Sequence, residues 1–193
     1  MARPTPALLV ALATCVAGCA SSPRPPRASP PYITPSEASR DTVTAQRLHQ
    51  EAARLMDSDP VRAEELLRES LAADLFFGPA HNNLGVLFLS RGQLFEAASE
   101  LEWACKLMPG QPDPRVNLAL TLESAGRTDG ALDAYATALA VSPGYLPAIQ
   151  GLASLQLRTG TADHRTPELL EQIAMRGDET WQQWALGHMQ RDR

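Results

Sequence analysis

Residues 78–111 read GPAHNNLGVLFLSRGQLFEAASELEWACKLMPGQ, and residues 112–145 read PDPRVNLALTLESAGRTDGALDAYATALAVSPGY. Set one above the other, they align Asn83 with Asn117, Leu84 with Leu118, Gly92 with Gly126, Ala97 with Ala131, Ala104 with Ala138 and Pro109-Gly110 with Pro143-Gly144. The same period of 34 residues extends outward to Ala63 on one side and to Leu152 and Gly160 on the other. A period of this length marks units that cannot bury their apolar faces alone and therefore stack. Within 78–111, Leu84, Leu87 and Phe88, and then Ala97, Leu101, Ala104 and Leu107, recur three and four apart, which predicts two helices. Gly92 lies between them and can take the left-handed conformation that ends a helix. Pro109 cannot continue the second helix. Gly85 and Ala97 are expected where the two backbones approach, with Phe88 and Leu101 as the bulk around them. The expectation is an all-α fold with an extended concave surface, hence binding rather than catalysis.

This pattern resembles the tetratricopeptide repeat, a helix-turn-helix with small residues at its eighth, twentieth and twenty-seventh positions and proline near the thirty-second. The resemblance implies a right-handed α-solenoid of about four such units with a C-terminal capping helix. Residues 41–77 form a degenerate first unit, since Glu51 stands at the small position and Leu75 at the proline position. Residues 78–111 and 112–145 are full repeats, and 146–193 a degenerate repeat plus the capping helix, which is read over 178–190. The second helix of that last unit is expected to start late, with Thr166 as cap and Pro167 at the first helical position. In the family the first helix of each unit lines the ligand groove. Carried over, the candidate peptide-binding residues are Asn82, Val86, Leu89, Val116, Leu120, Glu123, Gln150, Ser154 and Leu157, with Ser90, Asp113, Ser124 and Arg158 beside them. A Lys/Asn/Arg clamp for two carboxylates does not fit these positions, whereas a segment with apolar anchors does. The competing reading is that Val86, Leu120 and Leu157 contact the tether or the terminal helix of this same chain.

Met1 to Gly18 carries Arg3, an apolar stretch from Ala7 to Ala17, and then Cys19, the plan of a signal peptide. The apolar run is shorter than the about 20 residues of a spanning helix. Val16-Ala17-Gly18-Cys19 resembles a bacterial lipoprotein signal, which implies residues 1–18 as the signal and acylation at Cys19. The weaker site ends at Cys15, and the alternatives are an ordinary secretory peptide cut near Ala20 or a short hydrophobic N-terminus with an incidental cysteine. Ala20 in place of Asp points to the outer membrane, facing the periplasm. Residues 19–40, with Pro23, Pro25, Pro26, Pro30, Pro31 and Pro35, read as an extended tether.

The chain has 17 Lys and Arg against 22 Asp and Glu, and residues 41–193 alone hold 13 against 21, which argues against a nucleic-acid surface. Four histidines, His49, His81, His164 and His188, lack metal-ligand spacing, so neither metal nor cofactor is expected. No phosphate loop, G-x-S-x-G elbow or H-E-x-x-H occurs, and no enzyme is expected. Cys105 aligns with Leu71 and Leu139 and reads as a buried packing residue. His81 reads as packing between repeats, and the Glu100-Glu102 pair as a solvated face. The composite expectation is a membrane-anchored, non-enzymatic module that binds a peptide segment or protein, in the assembly of an envelope complex such as a pilus or secretion system. An adaptor for an envelope hydrolase and a structural oligomer are the alternatives, and the oligomeric state is open.

Overall fold

A computed structural model describes residues 40–191, and among them nine helices and no strands are found. The helices are α1 (Thr42–Leu55), α2 (Pro60–Ala73), α3 (Gly78–Ser90), α4 (Leu94–Leu107), α5 (Asp113–Ser124), α6 (Thr128–Val141), α7 (Leu146–Thr159), α8 (Thr166–Arg176) and α9 (Glu179–Arg191). Cys19, the expected signal and all of the expected tether except Arg40 lie outside the described residues. Each helix packs on its neighbours in the chain, and α1, α3, α5 and α7 also pack on one another in succession. These odd-numbered helices therefore line one side, as a stack of helix pairs requires. None of the described helices is long and apolar enough to cross a membrane.

The turns show why the sequence breaks where it does. Gly92, Gly126 and Gly160 have φ of 72°, 72° and 70°, and no other described residue has a positive φ. Each lets the chain fold back so that the next amide reaches the helix's last turn: Gln93 N–H to the Phe88 carbonyl at 2.9 Å, Arg127 to Leu122 at 2.8 Å and Thr161 to Gln156 at 2.9 Å. Helix α4 stops at Leu107 and α6 at Val141, just before Pro109 and Pro143. Gly85 is where α3 and α4 approach. A Cβ there would lie 2.5 Å from Leu101 Cγ and 3.3 Å from the Ala97 carbonyl oxygen, while Ala97 and Leu101 are themselves fully buried. Ala63, Ala97 and Ala131 are all 0% exposed, so the small residues mark the same contact in three units.

Three expectations need correction, the cap of α8 and the burial of Glu100 and of Cys105, whereas the first unit departs from the repeat as expected. The first unit is a full helix pair, but α1 buries Ala45, Leu48 and Ala52 and turns Glu51 to solvent, where Arg47 is 3.7 Å away. Its turn, Met56–Asp59, has no left-handed glycine, and Asp59 caps α2 by accepting from the Arg62 amide at 3.0 Å. Thr166 does not cap α8: its hydroxyl turns back to donate to Gln156 Oε1 at 3.0 Å and accept from the Asp163 amide at 2.9 Å. Glu100 is not on a solvated face but 7% exposed. Cys105 is half-buried rather than buried, and burial raises its thiol above the ordinary range.

Candidate functional site

The face formed by α1, α3, α5 and α7 contains most of the side chains expected to bind. Asn82, Val86 and Leu89 on α3 are half-buried; Leu120 on α5 is 42% exposed; Gln150, Ser154 and Leu157 on α7 are half-buried. Val116 is only 7% exposed and packs into the core with Ala119 and Ile149, so it offers little surface. Ser90 and Ser124 donate to the carbonyls of Leu87 and Leu120 in their own helices, both at 2.8 Å. Asp113 accepts from the Tyr145 hydroxyl, whose pKa is pushed up to about 12 by burial and by that carboxylate.

Several polar groups of this face are already occupied by one another. Asn117 donates to Asn82 Oδ1 at 3.0 Å, Asn82 to Asn83 Oδ1 at 3.2 Å, and Asn83 approaches His49 Nε2 at 3.0 Å. The chain of amides thus crosses α5, α3 and α1. With Asn83 donating, His49 must present the lone pair of Nε2 and carry its proton on Nδ1. The ring stands edge-on to Phe77 with centroids 5.5 Å apart, and burial holds its pKa below the ordinary 6.5. In the last unit the position of Asn83 and Asn117 belongs to Gly151, and the Tyr135 ring fills the space. Tyr135 is fully buried, its hydroxyl donates to Glu123 Oε2 at 3.3 Å, and Arg158 donates to Glu123 Oε1 at 2.6 Å. Burial and the adjacent carboxylate raise the Tyr135 phenol beyond its ordinary range. Glu123 is therefore a bridge between α5, α6 and α7.

His81 packs between units as expected, but the sequence reading missed its partner. Its ring is fully buried and stacks on Trp103 at 5.6 Å, with Nδ1 2.7 Å from Glu100 Oε2 and Nε2 2.8 Å from the Leu75 carbonyl. Both nitrogens face oxygens, so a buried polar network ties α3, α4 and the preceding turn together. Another such network holds the entry to the first unit. Asp74, fully buried, accepts from Arg40 at 2.9 and 3.1 Å, from the Thr42 hydroxyl at 2.8 Å and from the Phe76 amide at 3.0 Å. Burial opposes the Asp74 charge, but these bonds outweigh it and hold the carboxyl below its usual range.

Two recesses flank Leu157. One lies among Ser154, Arg158, Trp184 and His188, the other among Asp163, Thr166, Leu170, Glu171 and Met189. Trp181 and Trp184 meet edge to face at 5.3 Å and pack, half-buried, against the last unit's core. Of the two coverings weighed for Leu157, the tether and the terminal helix, it is α9 that lies beside it. Among the described residues no three His, Cys, Asp or Glu gather as metal ligands.

No protein-family model matches the sequence, and no curated protein matches it significantly. Solved structures do resemble it. The crystal structure of MamA aligns over 68% of this chain and 80% of its own length, with a TM-score of 0.61 and 24% identity. The first tetratricopeptide domain of Spaghetti (RPAP3), bound to an HSP90 peptide, aligns over 63% of this chain and 98% of its own, with a TM-score of 0.60 and 14% identity. The O-GlcNAc transferase of Thermobaculum terrenum, in a mutant form, aligns over 73% of this chain but 27% of its own, with a TM-score of 0.62 and 24% identity. With the 34-residue period, the left-handed glycine turns and the paired helices, these likenesses establish that residues 40–191 have the tetratricopeptide-repeat fold.

Proposed function

We propose that this protein is a protein–protein interaction module, held on a membrane by acyl chains on Cys19, whose α3–α5–α7 face receives an extended or helical segment of a partner. The observation that carries the reading is Leu120, 42% exposed on a face where Val86, Leu89 and Leu157 are also only half-covered. A row of incompletely covered apolar side chains on successive first helices suits a segment with spaced apolar anchors. The amides of Asn82, Asn83 and Asn117 bond one another, so their part is to hold the first helices in register, and a ligand's affinity rests on the apolar positions. One liganded neighbour, the RPAP3 domain, holds a peptide, which supports the same use of the fold here. The site of action is the cell envelope, at the outer membrane facing the periplasm, in the assembly of an envelope complex such as a pilus or secretion system.

The experiment is capture of partners by the anchored protein, identification by mass spectrometry, and calorimetry with the purified partner. Leu120→Glu is expected to weaken binding roughly ten- to a hundredfold, the loss of one well-buried apolar anchor. The melting temperature stays within about 2 °C, because the side chain is not part of the core. If Leu120→Glu binds as wild type while Arg62→Ala on α2 does not, the partner uses the opposite face.

A further inference from the structure

The turn Gly160–Arg165 holds six residues, where Arg91–Gln93 and Ala125–Arg127 hold three. The extra length delays α8 and opens a cavity of about 290 Å³ between this turn, the first turns of α8 and the end of α9. That is at the lower edge of ligand pockets, about 300–1,000 Å³, and suits one long side chain rather than a cofactor. Its apolar wall is Leu157, Leu170 and Met189, and its charged groups are Asp163 and Glu171.

The polar surface divides unequally. The Thr166 hydroxyl is engaged with Gln156 and with the Asp163 amide. Asp163 accepts from the Arg165 backbone amide at 2.8 Å and from its guanidinium at 3.1 Å, which balances its charge. Glu171 has no hydrogen-bond or ion-pair partner among the described residues. The cavity is thus an apolar slot with one uncompensated carboxylate at its rim. On the far side of Leu157 the neighbouring recess carries Arg158, whose charge Glu123 balances at 2.6 Å, together with His188.

We propose that this cavity receives a lysine or arginine side chain from a partner segment. Its methylenes lie on Leu157, Leu170 and Met189, and its cation sits beside Glu171 and Asp163. Long cationic side chains pack in this way, with the stem on apolar surface and the charged head toward water. The excess of 21 acidic over 13 basic residues in 41–193 draws a cationic segment toward this domain. The proposal rests on the interaction-module reading and names the chemistry that one end of its ligand should have.

The test uses two blocked amino acids of nearly equal shape, Nα-acetyl-lysine N-methylamide and its norleucine counterpart, titrated into the ¹⁵N-labelled protein and followed by amide chemical shifts. The lysine probe is expected to move the amides of Ala162, Asp163 and Glu171 and to bind about three- to fivefold more tightly than norleucine, as a partly exposed ion pair would give. Glu171→Gln, an exposed change that leaves the fold intact, should erase that advantage and leave norleucine binding unchanged. High salt should act in the same direction. Equal binding of the two probes, shifts centred on Trp184 and His188 instead, or no saturable shift with either probe would each overturn the proposal. A captured partner that still needs Leu120 would then leave the interaction-module reading standing.

Discussion

At Gly151 an added side chain would fall inside the Tyr135 ring, which is fully buried and cannot retreat. The two residues explain each other. Tyr135 stands where Leu67 and Leu101 stand in earlier units, and its extra reach takes the room that Asn83 and Asn117 use. Gly151→Asn is therefore expected to destabilise the fold by about 1–3 kcal/mol through overpacking, or about 2–4 °C of melting temperature per kcal/mol. Tyr135→Leu alone should also destabilise, by removing buried volume. The double variant restores the pairing of the preceding unit and should cost less than the sum of the single changes, a coupling that a double-mutant cycle in thermal or urea melts will measure. Additive losses would show that the ring and the glycine do not share the space. The pairing could not be read from the 34-residue alignment, because it joins different positions of neighbouring units.

Among the elements, α1 departs furthest from the repeat, and His49 is where the departure can be measured. Its Nε2 ends the amide chain that runs from Asn117 through Asn82 and Asn83. A proton on Nε2 would set two donors against each other. Burial already holds the imidazole below its ordinary pKa of 6.5. The unfolded chain therefore takes up this proton first as the pH falls, so stability present above about 6.5 is lost as the pH drops from there through the lowered folded value. The depressed carboxyls of Asp74 and Glu64 act in the same direction, but around and below their ordinary 3.8 and 4.5. His49→Asn places here an amide like that of Asn82, which accepts from Asn117 between the next two first helices, and it can accept from Asn83 at any of these pH values. Melts at pH 7.5 and 5.5 are expected to show a smaller fall for His49→Asn than for wild type; equal falls would mean that His49 does not couple proton uptake to folding. The helical period of α1 was legible in the sequence. The one-residue offset that puts Ala52 rather than Glu51 at the buried small position was not, since it comes with a turn of four residues, 56–59, where the next two units have three.

For the molecule as a whole, the anchor and the binding face make separate predictions. Cys19→Ala should leave the protein in the soluble fraction or unprocessed, with no incorporation of labelled palmitate, because stable anchoring takes two or more acyl chains. A variant that stays in the membrane at wild-type mobility, together with an unlabelled wild type, would remove the lipid anchor from the proposal. The repeat itself was written in the sequence: glycine at 92, 126 and 160, alanine at 63, 97 and 131, and proline at 109 and 143 specify turns, close contacts and helix ends, all of which depend on backbone geometry local to one unit. The family resemblance implied which helices carry the candidate face. It could not tell how much of that face is free. Whether Val116 is covered, whether Glu123 is tied to Arg158 and Tyr135, whether Glu100 meets His81, and whether α9 closes beside Leu157 all depend on contacts between helices, within a unit or across two, where side chains from distant positions compete for the same space and the same hydrogen bonds. Periodicity determined the stack; only the tertiary structure decided which polar groups neutralise one another within it and which side chains, like Leu120 and Glu171, stay exposed.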